Sequence, residues 1–234
     1  MNQVTSYNPE FYKSIERSST IGAFKIIPLV LKNISDRGWK IKSILDVGCG
    51  TGSWLKVAKE FDSEIRIKGI DFDVPPESLL IEKEEFEIVN LRSPFFIGQS
   101  NGYDLTISLE VAEHLEEEFS DSFIQSLTRT TDLILFSAAI PHQKGTNHVN
   151  CQFPSYWKKK FVKYNFFCVD TIRPLIWNDE DIKFWYKQNI MIFYRMNKEK
   201  DLSFGKLNDG LYPSFYGADL VHPEMLKQVI EEKI

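Results

Sequence analysis

The chain has 234 residues, 43% of them hydrophobic and 26% charged, with three cysteines and a net charge of −5. This composition suits one large globular domain whose core needs no disulfide or metal, and the acidic balance argues against a nucleic-acid partner. Cys49, Cys151 and Cys168 are odd in number and lack CxxC spacing, which fits a reducing, cytoplasmic setting and excludes a disulfide framework.

The first twenty residues lack the basic-then-apolar form of a signal peptide, and no apolar run nears the roughly 20 residues that span a bilayer. No membrane contact is therefore expected. Ala23, Ile27, Val30, Leu31 and Ile34 recur at helical spacing, and Pro28 among them predicts a kink or a boundary. Ser43–Val47 (SILDV) is a short apolar run entering GCGTG, the form of a buried parallel strand that ends in a tight turn. Trp54, Val57, Ala58 and Phe61 then share a helical face. Strands are predicted over 64–71, 86–90, 103–109 and 132–138, with helical material over 112–128.

A polar loop follows, SAAIPHQKGTNHVNCQFPSYW, from Ser137 to Trp157. Pro154 lies early in a helix that carries Trp157, Phe161 and Tyr164 on one face, while Lys158, Lys159, Lys160 and Lys163 read as its solvated side. Segments 166–172 and 189–196 complete seven strands, and 223–232 reads as a short closing helix. Strands alternating with helices imply an α/β fold with a mostly parallel sheet.

The densest motif is DVGCGTG, Asp46 to Gly52. Gly48, Gly50 and Gly52 follow GxGxG, whereas a dinucleotide fingerprint needs a glycine where Ser53 stands. Asp71 closes the second strand, where a carboxylate can accept from both hydroxyls of a ribose. Turn and carboxylate converge on one crevice, so the expected ligand carries an adenosine. A glycine-rich turn without any ligand is the bland alternative.

With these residues in place the chain resembles the class I S-adenosylmethionine-dependent methyltransferases. ILDVGCGTGSWL is similar to their first motif, GIDFD to the second, FEIVNLRSPF to the third and YDLTISLEVAEHLEEE to the fourth; the resemblance covers Tyr7 to Met196. It implies a Rossmann-like seven-stranded sheet with an antiparallel last strand and helices on both faces. Residues 1–41 would form an N-terminal helical lid, 42–196 the cofactor-binding core and 197–234 an extension packed on it.

The implied cofactor is S-adenosyl-L-methionine. Asp46, Gly48, Cys49, Gly50, Gly52 and Trp54 would surround its methionyl end, Asp71 its ribose and Phe72 its adenine. Asn90 and Leu91 would meet the adenine edge, although the family more often has aspartate at the first of these. Leu109 and Glu110 would lie under the methionyl group or face the acceptor.

A sulfonium methyl is already electrophilic, so a protein has to align the acceptor and take up its proton; a general base contributes about 10²–10⁴-fold. His114, His142 and His148, with Glu110, are the catalytic candidates, and His222 reads as structural. The same four residues considered as metal ligands lack a compact spacing, so no metal is expected. The 137–157 loop resembles one in bacterial methyltransferases encoded among surface-polysaccharide genes, which often carry glutamate where Cys151 stands. That likeness implies a small polar acceptor, a sugar or capsule precursor methylated on a hydroxyl or amine and contacted by Tyr7, Tyr12, Asn150, Gln152 and Trp157. Alternatives are N-methylation of an amino-acid or phosphoramidate-type metabolite, a non-catalytic cofactor-binding subunit, and a dinucleotide oxidoreductase.

Overall fold

The computed structural model describes residues 9–72, 74–196 and 219–231. Seven strands form one sheet: β1 (Ser43–Val47), β2 (Arg66–Asp71), β3 (Phe86–Ile88), β4 (Leu105–Leu109), β5 (Leu133–Ser137), β6 (Phe166–Val169) and β7 (Met191–Arg195). Their order is β3-β2-β1-β4-β5-β7-β6. β1 to β5 pair in parallel, and β7 runs antiparallel to both β5 and β6. Each strand lies inside a predicted segment, and the seven-stranded sheet with its antiparallel last strand is as expected.

Side-chain alternation along the strands divides the core into two layers. Ile44, Leu105, Ile107, Leu133, Leu135 and Ile192 point to one face. Leu45, Val47, Ile134, Phe136, Met191 and Phe193 point to the other. Because helices cover both faces, the central strands are apolar on both, and β1, β5 and most of β4 are wholly buried. The first layer is closed by α1 (Pro9–Ser35), α2 (Ser53–Phe61), α5 (Arg173–Ile176) and α6 (Phe184–Asn189). The second is closed by α3 (Ser120–Thr130) and α4 (Pro154–Val162).

Two expectations need correction. Helix α1 continues past Pro28, so the proline is not the boundary that was one of its two expected effects. A proline inside a helix costs about 3 kcal/mol. Ala23, Ile26, Ile27, Val30 and Ile34 are fully buried, and each larger one contributes about 1.5–3 kcal/mol, so the packed face outweighs the lost hydrogen bond. This half of α1 is core, and a lid can only be sought ahead of it. The stretch read as helix over 112–128 is likewise broken. It holds two 3₁₀ turns, Ala112–His114 and Glu117–Phe119, before α3 begins. The short helices α5 and α6 carry too few turns for a periodic signal and were not expected.

A last helix, α7 (Pro223–Glu231), docks on α6 through Met225, which packs with Ile140 and Phe184. His222 has the structural role predicted for it. Its Nε2 lies 3.0 Å from the Trp177 carbonyl and its N–H donates to Gln188 Oε1 at 2.7 Å. Buried Lys187 pairs with Glu224 at 2.6 Å.

Ile27→Ala tests the role of α1. In urea unfolding it should lose about 2–5 kcal/mol, as a core truncation does. A loss below about 0.5 kcal/mol, the level of a surface change, would make α1 a detachable cover.

Candidate active site

The strand order reverses between β1 and β4, and an open α/β sheet takes its ligand in the crevice outside the carboxyl ends at such a point. The glycine turn leaves β1 there. Gly48, Gly50 and Gly52 have φ of 78°, 52° and 83°, left-handed values that cost a side-chain-bearing residue strain. Gly48 has a second reason to be glycine, since a Cβ on it would lie 2.4 Å from Val111 Cγ2. A Cβ on Gly50 would meet nothing within 4 Å, so this residue forms the open lip of the turn.

Asp71, at the end of β2, is fastened to that lip. Its Oδ2 accepts the Gly50 N–H at 2.8 Å and its Oδ1 the Phe72 N–H at 2.6 Å. One strand away, Asp46 is 2% exposed and its Oδ2 has no hydrogen-bond partner among the described residues. Burial, and then the nearby charge of Asp71, pushes the Asp46 carboxyl well above its ordinary range. Phe72 is 43% exposed beside this pair. Asn90 is exposed too, with Oδ1 accepting the Arg92 N–H at 3.0 Å, while Leu91 is buried in the second layer.

Two of the expected cofactor contacts are core side chains. Cys49 packs its Sγ where Gly69 lacks a side chain, 2.7 Å from the position of a Cβ there. Trp54 is 5% exposed and meets Tyr186 edge-on at 5.3 Å, under α1. Only the backbone of Cys49 belongs to the turn, since Trp54 lies in the first turn of α2. Leu109, at the end of β4, is partly buried against the first layer.

Beyond β4 the chain turns sharply at Glu110, a non-glycine residue at φ 56°. Its N–H donates to both the carbonyl and the Oγ of Ser137, 3.1 Å each, which fixes this uncommon backbone. Its carboxylate accepts from Gln143 Nε2 at 2.6 Å and from Asn189 Nδ2 at 3.1 Å. Burial nevertheless raises its pKa. Gln143 and Asn189 were not singled out in the sequence, and neither was Glu113, which is 0% exposed.

The loop after β5 is tied down at Glu113. The N–H groups of Val149 and Asn150 both donate to its carbonyl oxygen, at 2.9 and 3.0 Å, and Gln152 N–H closes the loop on the Ala139 carbonyl at 3.1 Å. This sets the His148 ring 4.9 Å from that of His114, edge to face. Gly145 makes room, since a Cβ there would lie 2.0 Å from His148 Nε2. His148 Nδ1 faces the Gln143 carbonyl at 3.1 Å, and Cys151 Sγ lies 3.6 Å from the same nitrogen. Burial, with the neighbouring His148, lowers His114 to about 4; burial also lowers His148 and raises Cys151 to about 11. In each case burial disfavours the charged form.

Of the predicted catalytic set, Glu110, His114 and His148 gather on these two connections. His142 is exposed at a left-handed turn position and stands outside the cluster. Asn150 is buried as a strut, donating to Ser120 Oγ at 3.0 Å and accepting from Gln152 Nε2 at 3.1 Å. The acceptor role expected of Trp157 is corrected. Its ring is 1% exposed and packs on Phe136 at 5.5 Å, so no face is open to a sugar. Tyr7 and the side chain of Tyr12 lie outside the described residues. Trp157→Phe should lower unfolding stability by about 1–3 kcal/mol, and unchanged stability would return this ring to the surface.

No protein-family model and no curated protein sequence matches the chain. Solved structures do match in fold. A candidate O-methyltransferase of Nostoc punctiforme PCC 73102 aligns with TM-score 0.58 and 13% identity over 82% of this chain, which spans 62% of that protein's length. Magnesium protoporphyrin IX methyltransferase from Synechocystis PCC 6803, solved with bound S-adenosylhomocysteine, aligns at 0.54 and 17% over 82% of this chain and 90% of its own. A SAM-dependent methyltransferase from Aquifex aeolicus aligns at 0.52 and 14% over 81% and 98%. The chain has the Rossmann-like fold of the S-adenosylmethionine-dependent methyltransferases.

Proposed function

We propose that the protein transfers a methyl group from S-adenosylmethionine to a hydroxyl of a small polar acceptor, of the kind present in sugars and surface-glycan precursors. The observation that carries this reading is the pair of carboxylates flanking the glycine turn, one of them buried with an orphaned oxygen. A lone buried carboxylate is costly, and a ligand ammonium beside Asp46 Oδ2 offsets both its desolvation and the repulsion from Asp71. Asp71 is positioned for ribose hydroxyls because a carboxylate offers about four acceptor sites alongside its backbone donors. The exposed ring of Phe72 suits a purine face.

When bound, the cofactor supplies a methyl group on a sulfonium, electrophilic without activation by the protein. The chain's own part is to hold the acceptor in line and to manage its proton. Asp71, bonded to the lip of the turn, fixes the cofactor's ribose end relative to β1 and β4. The polar 139–153 loop walls the crevice with hydrogen-bonding side chains, which favours a hydrophilic acceptor. Burial holds His114 down at about 4 and shifts His148 in the same direction, toward the unprotonated form that can accept a proton. A hydroxyl, which must shed its proton on methylation, needs such a group more than a neutral amine does.

Calorimetry with S-adenosylhomocysteine checks the binding half. Asp71→Ala should weaken affinity about tenfold or more, the worth of hydrogen bonds to a charged group. No heat with the unaltered protein would sink the reading. Transfer of label from methyl-tritiated cofactor to nucleotide sugars checks the acceptor half.

A further inference from the structure

We propose that Glu113, His114 and His148 form a binding site for one divalent transition-metal ion. One ligand atom from each of the three lies within 4.8 Å of the others. The first ground is the state of Glu113. Its side chain is 0% exposed and, among the described residues, neither carboxylate oxygen has a partner in hydrogen-bonding geometry. The N–H groups of Glu113 itself and of Ala139 are near, yet out of hydrogen-bonding geometry. The Glu110 carboxyl neighbours that of Glu113, and two buried carboxylates side by side are unfavourable unless a proton or a cation neutralises one of them. His148 Nε2 is 3.9 Å from Glu113 Oε1, beyond hydrogen-bond reach but within the span that one bridging cation can close.

The second ground is the orientation of the histidines. His148 Nδ1 faces the Gln143 carbonyl at 3.1 Å, which makes that nitrogen the protonated one and leaves Nε2 with a lone pair toward Glu113. Metal-bound histidines are held in this way, the far N–H donating to a carbonyl. His114 is held by the backbone at Thr146 and Asn147, on the same loop. Cys151 lies on the Nδ1 side of His148, so it is a neighbour of the site and not a ligand.

Two imidazoles and one carboxylate form a donor set that suits zinc, manganese or ferrous iron better than magnesium, which prefers all-oxygen coordination. Bonds of about 2.0–2.2 Å put neighbouring ligands roughly 3–3.5 Å apart, so the three side chains draw in on binding. His148 is the hinge for this, with 12% of its side chain exposed. Three protein ligands leave open positions that oxygen atoms of an acceptor can fill. That last use rests on the methyl-transfer reading, whereas the site itself does not. In that use the metal takes over from the imidazoles the task of lowering the acceptor's hold on its proton, since a metal-bound nitrogen has no lone pair left.

The test is calorimetry on the full chain, stripped with chelator, titrated with Zn²⁺, Mn²⁺ and Mg²⁺, and separately with S-adenosylhomocysteine. The expected result is one-to-one binding of Zn²⁺ or Mn²⁺ tighter than about 10 µM, with Mg²⁺ much weaker. Glu113→Gln and His148→Asn should each weaken it by at least about a hundredfold. If Glu113→Gln does not fold, the partly exposed His148→Asn decides alone. No stoichiometric binding, or binding of undiminished strength in the variants, overturns the site. S-adenosylhomocysteine binding without metal binding removes only the metal proposal; the reverse removes only the methyl-transfer reading.

Discussion

The close approach of Val111 to Gly48 is the constraint on which the crevice depends. A glycine at φ 78° lets β1 turn back at once, and its missing Cβ lets Val111 press against the turn. Val111 directly follows Glu110, so this single contact locks the connection after β1 to the one after β4. Those are the two strands between which the sheet order reverses. With the two connections fixed together, the ligand-facing backbone of one and the titratable cluster of the other share a rigid frame. Alanine at 48 would have to adopt a strained torsion and displace Val111, moving both halves of the site together.

The second theme is how the molecule holds four carboxylates at one end of its sheet. Asp71 is stabilised by two backbone N–H groups and Glu110 by two side-chain amides. Asp46 has one oxygen with no partner and Glu113 has two. This ordering separates carboxylates that position the backbone from carboxylates that keep an unpaired oxygen among the described residues. The satisfied pair fixes the turn and the loop; the unsatisfied pair retains the desolvation cost that a bound cation would relieve. An ammonium fits the first of these and, with two neutral imidazoles beside it, a metal ion the second.

What could be read from the sequence follows from how each signal is encoded. Seven strands were legible because buried parallel strands are short continuous apolar runs, as in Ser43–Val47 and Leu133–Ser137. The glycine turn and Asp71 were legible because left-handed backbone at three alternate positions calls for glycine, and because Asp71 stands at the end of a recognisable strand. Glu113 was missed because the segment read as a helix, in which a glutamate beside a histidine is normally a solvated pair. The 3₁₀ turn at Ala112–His114 carries it inward instead. Trp157 was mistaken for the opposite reason. An aromatic residue next to a polar loop suggests stacking, yet α4 turns that ring into the second core layer beside Phe136.

Glu113, His114 and His148 show why linear spacing is a weak guide to a cluster. Glu113 and His114 are adjacent in the chain, but His148 lies on another connection, and no linear pattern joins them. What joins them is the Glu113 carbonyl oxygen, which receives both the Val149 and Asn150 N–H groups and so places the residue just before them against its own side chain. One backbone oxygen thus determines which histidine of the loop meets the buried carboxylate. It also explains why His142, six residues earlier and bound by no such tether among the described residues, is left at the surface. Tertiary hydrogen bonds of this kind select among candidate residues after composition and spacing have only nominated them.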